Sequence, residues 1–164
     1  MRYSLFLLLF SILLPVARAK DACTLMTAED IRAVIGEEVH VVPGGMTPPS
    51  GPGLEYSSCR FKTASGTRTV SLLARYSQNT PNDSTAELVA KMQSQKMPGV
   101  REISGVGDGA VWSGGAFDKT RATYQLNFMK GKFAFFVINF SGSFTEATAL
   151  EQAKALAAKI LARA

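Results

Sequence analysis

The segment Phe133-Ala134-Phe135-Phe136-Val137-Ile138-Asn139-Phe140 is apolar at seven of its eight positions. Side chains of a strand alternate between the two faces of its sheet, so a strand that is apolar in both phases has to be covered on both sides. Its aromatic and β-branched content favours a strand over a short buried helix. This segment is predicted to be the central strand of a sheet, and every other element has to be arranged around it.

Its first partner is Ala122–Met129, joined through Lys130-Gly131 to a strand running from Lys132 to Phe140. A second hairpin joins Tyr56–Lys62 to Thr67–Tyr76 across Thr63-Ala64-Ser65-Gly66. There Val70, Leu72, Ala74 and Tyr76 alternate with Thr69, Ser71, Leu73 and Arg75, the pattern of a strand with one buried face. Shorter strands are expected at Val39–Val42 and on either side of the glycine-dense turn Ser104–Gly109, at Val100–Ile103 and Ala110–Trp112. Between the first strand and the second hairpin lies Pro43–Gly53, in which eight of eleven residues are Pro or Gly. Such a segment cannot sustain a hydrogen-bonded ladder and is expected to be an exposed loop.

Helices are marked by their start signals. Thr27-Ala28-Glu29-Asp30 resembles a capping box with Asp in place of Glu, followed by Ile31, Val34 and Ile35 and stopped at Gly36. Ser84-Thr85-Ala86-Glu87 is a full capping box that leads into Leu88, Val89 and Met92, with Pro98-Gly99 as the stop. Ser143-Phe144-Thr145-Glu146 is expected to cap a last helix, whose Ala147, Leu150, Ala153, Ala157 and Ile160 form one stripe. The order is α-β-β-β-α-β-β-β-α or close to it. It predicts an α+β fold, an antiparallel sheet of about six strands with three helices covering its faces as an α/β/α sandwich.

The start of the chain addresses its compartment. Arg2, the apolar run Leu5–Leu14, Pro15 and Ala17-Arg18-Ala19 have the three parts of a signal peptide, with small residues where a signal peptidase cuts. The expected signal peptide is residues 1–19, and residues 20–164 form one domain. An uncleaved anchor is the alternative, but the apolar run is about half of the ~20 residues a membrane span needs. Cleavage removes Arg2 and Arg18, which lowers the formal net charge from +5 to +3. The remaining Lys and Arg are scattered along the sequence, so no nucleic-acid partner is expected. Cleavage leaves no transmembrane segment and a periplasmic or secreted product.

Both cysteines, Cys23 and Cys59, remain after cleavage, and an even count in an exported chain favours a disulfide. A redox pair or a metal site is the alternative. The chain has no C-x-x-C and no His-rich cluster to support either.

Cys23-Thr24-Leu25-Met26-Thr27 leading into a helix that ends at Gly36, then Cys59-Arg60-Phe61, then Val106-Gly107-Asp108-Gly109-Ala110 before a strand, make a further pattern. With these motifs the chain resembles a group of small secreted domains of unknown function. They are common among actinobacterial lipoproteins and related to the extracellular sensor domain of a mycobacterial serine/threonine kinase. The resemblance implies a Mog1/PsbP-like fold and a role in binding or sensing at the cell envelope. It carries over no catalytic residue. The chain departs from the group in lacking a lipid-attachment cysteine.

Candidate sites are few. Gly105-Val106-Gly107-Asp108-Gly109 looks like a phosphate cradle, but a dinucleotide fingerprint needs a helix after it and here a strand follows. A tight turn in which Asp108 accepts backbone N–H groups is the structural alternative. His40 is the only histidine, which excludes a two-His metal site and leaves a general base without an evident partner. The methionines Met26, Met46, Met92, Met97 and Met129 are dispersed, as core filler is. Trp112, Phe117 and Tyr124 belong to an aromatic group that either packs the core or lines an apolar pocket. Together with Asp108 they are the candidate surface for a small molecule or an envelope protein. No metal or cofactor is expected. The function predicted is that of an exported, non-enzymatic binding or accessory domain. An assembly protein acting within an envelope complex is the alternative, and a small hydrolase the least favoured.

Overall fold

The computed structural model describes residues 20–42, 51–116, 118 and 121–164. The expected signal peptide, residues 43–50 of the Pro/Gly loop and Phe117 lie outside the described residues. In chain order the elements are α1 (Ala22–Leu25), α2 (Ala28–Ile35), β1 (Val39–Val41), β2 (Leu54–Thr63), β3 (Arg68–Ser77) and α3 (Thr85–Ser94). They continue with β4 (Arg101–Glu102), β5 (Gly109–Ala116), β6 (Ala122–Lys130), β7 (Ala134–Gly142) and α4 (Glu146–Arg163). The fold is α+β, with one open antiparallel sheet in the order β1-β2-β3-β7-β6-β5-β4.

Strand β7 is the middle strand, as its composition predicts. It pairs with β3 from Arg68↔Gly142 to Tyr76↔Ala134, and with β6 from Ala122↔Gly142 to Lys130↔Ala134. Its two faces are unequally covered, however. Phe136, Ile138 and Phe140 are fully buried, whereas Phe135 and Val137 are only half-buried. On the first face these residues join Phe61, Leu72, Leu126 and Phe128 in one apolar cluster with Leu25, Ile31, Ala153, Leu156 and Ile160, supplied by α1, α2 and α4. On the opposite face α3 sets Leu88 and Met92 on Val111 of β5, with Phe135 packed at the margin. That helix touches β4 and β5, at one edge of the sheet, and among the described residues no helix lies over β2 and β3 on this face.

The described residues contain seven strands and four helices, one more of each than expected. The added helix is α1, a single turn too short to show a 3.6-residue period; Asp21 caps it by accepting the N–H of Cys23 at 2.8 Å. The two-residue β4 lies within the strand expected at Val100–Ile103 and pairs Arg101 with Trp112 and Glu102 with Val111; counted as its own edge strand, it brings the sheet to seven. Both capping boxes form, Thr27 with Asp30 and Ser84 with Glu87. The last helix begins later than expected: its N-cap is Thr145, accepting from the N–H of Thr148, in place of Ser143. Phe144 is the reason. Its ring is 8% exposed and meets Phe140 edge-on at 5.2 Å, so the chain must complete this contact before it can turn into α4. Strand β5 runs past Trp112 because Gly114 adopts φ +131°, where a Cβ would lie 2.2 Å from the carbonyl oxygen of Thr123.

Two links fasten the N-terminal helices. The disulfide Cys23–Cys59, with Cα atoms 5.1 Å apart, ties α1 to β2. Asp30, whose side chain is 6% exposed, is held by both Nη atoms of Arg163, by Lys159 Nζ at 3.4 Å and by the Thr27 N–H at 3.0 Å. Arg163 also donates to the carbonyl of Leu25 at 2.9 Å, so one guanidinium joins α1, α2 and α4. The hydrogen bonds from Arg163 hold the Asp30 carboxyl far below the usual carboxylate range, against the opposing effect of burial. No helix among the described residues is long and apolar enough to cross a membrane.

The disulfide closes a loop of sequence separation 36, so reducing it is expected to remove about 3–4 kcal/mol of stability on the loop-entropy model. Thermal melts with and without reductant, and of Cys23→Ala/Cys59→Ala, should fall together; an unchanged melting temperature would contradict the assignment. Asp30 is a carboxylate whose folded pKa is depressed, so its contribution is present above its unfolded value near 4 and fades as the pH falls below it. Asp30→Asn should cost about 2 kcal/mol at pH 7. Denaturant titrations at a series of pH values should show the gap between wild type and variant narrowing below about pH 4.

Candidate functional site

The four residues singled out from the sequence fall in different environments. Trp112 and Tyr124 sit on neighbouring strands β5 and β6, and their rings stack at 5.6 Å with an 11° interplanar angle. They are 0% and 3% exposed, so both belong to the apolar cluster under α4 and present no face to solvent. The Trp112 indole N–H donates to Glu146 at the start of α4 (3.3 Å), a carboxylate that also pairs with Arg101 at 2.6 Å. Burial, and then the Glu146 charge, push the Tyr124 phenol above its ordinary pKa. Phe117 is outside the described residues.

Asp108 is the one that reaches a cavity. Its backbone N–H donates to the Met129 carbonyl (3.0 Å), and its carboxylate accepts the N–H of Gly131 at 2.5 Å. The turn is pressed onto β6 so closely that a Cβ on Gly107, at φ +56°, would lie 2.2 Å from the Met129 carbonyl oxygen. The glycine-dense segment thus works as a structural turn that docks on the β6–β7 hairpin. The same docking places Asp108 at the border of a cleft.

That cleft, about 800 Å³, opens where the ends of β3, β6 and α4 meet the start of β7. Tyr76, Phe133, Ala134 and Ala164 provide apolar lining, and Glu55, Asp108, Lys130 and Lys132 provide charge. Its walls are held by side chains fixed elsewhere. Lys130 Nζ caps the C-terminal end of α4 by donating to the carbonyls of Leu161 (2.9 Å) and Ala164 (2.8 Å). Asn82 donates to the Ala134 carbonyl (2.9 Å) and accepts from Arg75 (2.7 Å), while the Ser77 N–H donates to the Phe133 carbonyl at 2.9 Å. The Tyr76 ring meets Phe136 edge-on at 5.8 Å.

Two groups at this cleft are not used by the fold. Phe133 is 42% exposed, one of two large apolar side chains left open to solvent among the described residues. The hydroxyl oxygen of Tyr76 is buried and has no hydrogen-bond partner of ordinary geometry. Burial pushes this phenol above its usual pKa, outweighing the nearby Lys20 backbone, so it stays a neutral O–H donor through the physiological range. A buried hydroxyl left unpaired costs about 1–3 kcal/mol.

His40 is exposed on the short strand β1. Among the described residues no group of three or more His, Cys, Asp or Glu side chains is arranged to hold a metal ion. Met26, Met92 and Met129 are buried. The sequence reading missed the cleft because Glu55, Tyr76, Asp108, Phe133 and Ala164 come from separate elements. The one local signal was Lys130-Gly131-Lys132-Phe133, a hairpin turn that carries an aromatic residue where a polar one is usual. Compared with protein-family models, with curated proteins and with solved structures, the chain matches none of them.

Proposed function

We propose that this chain is an exported, non-enzymatic binding domain of the cell envelope, and that it holds a small, mainly apolar molecule in the cleft beside Tyr76 and Phe133. The observation that carries the reading is an open cleft with apolar walls, in which Phe133 is left 42% exposed beside Lys130 and Lys132. Ligand sites commonly have this composition, mostly apolar walls with a few polar groups that fix orientation. Tyr76 and Phe133 would cover its apolar body, and Lys132 would suit an anionic end.

Export fits the disulfide, which belongs to an oxidising compartment. The α/β/α sandwich of Mog1/PsbP-like domains is the finer architecture we propose for the α+β sheet. Its support is that α4 and α3 lie against opposite sides of β5: Trp112 is in the cluster under α4, while its neighbour Val111 is in the cluster under α3.

The test is a titration of residues 20–164 with 1-anilinonaphthalene-8-sulfonate, an apolar anion, alongside native mass spectrometry of protein purified from its own host. The proposal expects saturable binding and a co-purified small molecule. Phe133→Asp, at an exposed position, should weaken the dye about tenfold, equivalent to ~1.4 kcal/mol of lost apolar contact. Tyr76→Phe should leave the melting temperature unchanged or raise it, since it deletes a buried polar group without a hydrogen bond of ordinary geometry. Dye binding that does not saturate, or that is the same in Phe133→Asp, would overturn the reading.

A further inference from the structure

The sheet face away from α4 is crossed by four rows of neighbouring side chains, and the rows differ in kind. Nearest the cleft, Tyr56, Arg75 and Phe135 stand side by side, and the next row carries Leu73 and Val137. Further along the strands the face turns polar. One row runs Arg60, Ser71, Asn139, and the next Lys62, Thr69, Ser141, with each set on adjacent strands β2, β3 and β7. Arg60 and Lys62 are exposed, and these two rows contain no carboxylate. Nor does either cation have a hydrogen-bonded or ion-pair partner among the described residues, in contrast to Arg68, which is paired with Glu37 at 2.8 Å. The two rows enclose a groove of about 440 Å³, with Val42 at its end.

Two unpaired cations beside three hydroxyls on a rigid central sheet form a donor set with no acceptor charge to compete. Residues i and i+2 of a strand lie about 6.7 Å apart on one face and neighbouring strands about 4.8 Å apart. At those spacings the Arg60 guanidinium and the Lys62 ammonium can both reach one tetrahedral anion, while Ser71, Thr69 and Ser141 donate to its remaining oxygens. Strand periodicity puts Arg60 and Lys62 on one face of β2, and register sets the hydroxyls of β3 and β7 beside them. From this geometry we infer a second binding site, independent of the cleft: the Arg60–Lys62 groove binds a phosphate monoester carried on a hydroxylated body, the chemistry of a sugar phosphate. Arginine supplies a planar fork that fits two phosphate oxygens, lysine a point charge, and whichever of the three hydroxyls the phosphate leaves unused, with Asn139 beside them in the row, serve the carrier's own hydroxyl groups. A groove of this size accommodates one such unit.

The experiment is a titration of ¹⁵N-labelled protein with inorganic phosphate, glucose 6-phosphate and glucose, each at constant ionic strength. The inference expects saturable amide shifts at Arg60, Thr69, Ser71 and Ser141 with both phosphates, tighter binding of glucose 6-phosphate than of inorganic phosphate, and no response to glucose. Arg60→Gln should weaken binding about tenfold, Arg60→Lys by less, and Ser141→Ala serves as a second probe that leaves the charge intact. Lys91→Gln, which removes the same charge from α3, should have no effect, and neither should Phe133→Asp in the cleft. Shifts that fail to saturate, that spread over the whole surface, or that survive Arg60→Gln unchanged would overturn the inference, as would equal weakening by Lys91→Gln.

Discussion

Everything in this domain hangs on β7, which forms nine-residue ladders on both sides, with β3 and with β6. Because those neighbours belong to different hairpins, β7 is what joins the N-terminal and C-terminal halves of the sheet. Its side chains in one phase, Phe136, Ile138 and Phe140, are fully buried, and against them are set the small residues Ala149, Ala153 and Ala157 of α4 together with Leu156 and Ile160. Small side chains let the helix lie close to the sheet, and the large aromatic residues of β6 and β7 fill the space between. Removing any of these rings would leave a cavity that the surrounding sheet, held by ladders on both sides, is poorly able to close.

The second phase of β7 shows how the sites arise. Phe135 and Val137 are half-buried because α3, ten residues long, is pinned by its capping box and by Leu88 and Met92 over β5, away from β3. The uncovered part of the sheet must then be polar where it meets water, which accounts for Ser71, Asn139, Thr69 and Ser141 at the same register on successive strands. Arg75 bridges the two regimes, its guanidinium 4.9 Å from the Phe135 ring and hydrogen-bonded to Asn82. At the opposite end of β7 the chain has to reverse next to the end of α4. The cleft is the space left between that reversal and the helix terminus. The N-terminal helices are fastened over the buried face by the disulfide and by the Asp30–Arg163 pair, so the same face carries both of the long-range links.

Much of this architecture was legible because it is written in local patterns. The capping boxes at Thr27 and Ser84, the alternation of Val70, Leu72 and Ala74, and the apolar density of residues 133–140 each report on their own element. What escaped was everything decided between elements. The cap of α4 moved from Ser143 to Thr145 because of a contact between Phe144 and Phe140. The aromatic residues Trp112 and Tyr124 looked equally suited to a pocket or a core, and the cross-strand pairing that stacks them under α4 made them core. Single-turn α1 has no period to read. The cleft draws on five elements and leaves no contiguous trace, while the groove shows in the sequence only its cations, Arg60 and Lys62, and takes its hydroxyls from β3 and β7.

The central claim is that, among the described residues, the helices cover the two faces of the sheet unequally, with α1, α2 and α4 across one and α3 at one edge of the other. Paramagnetic relaxation of side-chain protons by a neutral gadolinium chelate reads that asymmetry directly, residue by residue. The account predicts strong broadening at Thr69, Ser71, Asn139 and Ser141 and none at Leu72, Ile138, Leu126 and Ala153, although the two sets alternate along the same strands. Equal broadening of both sets, or protection of both, would contradict it.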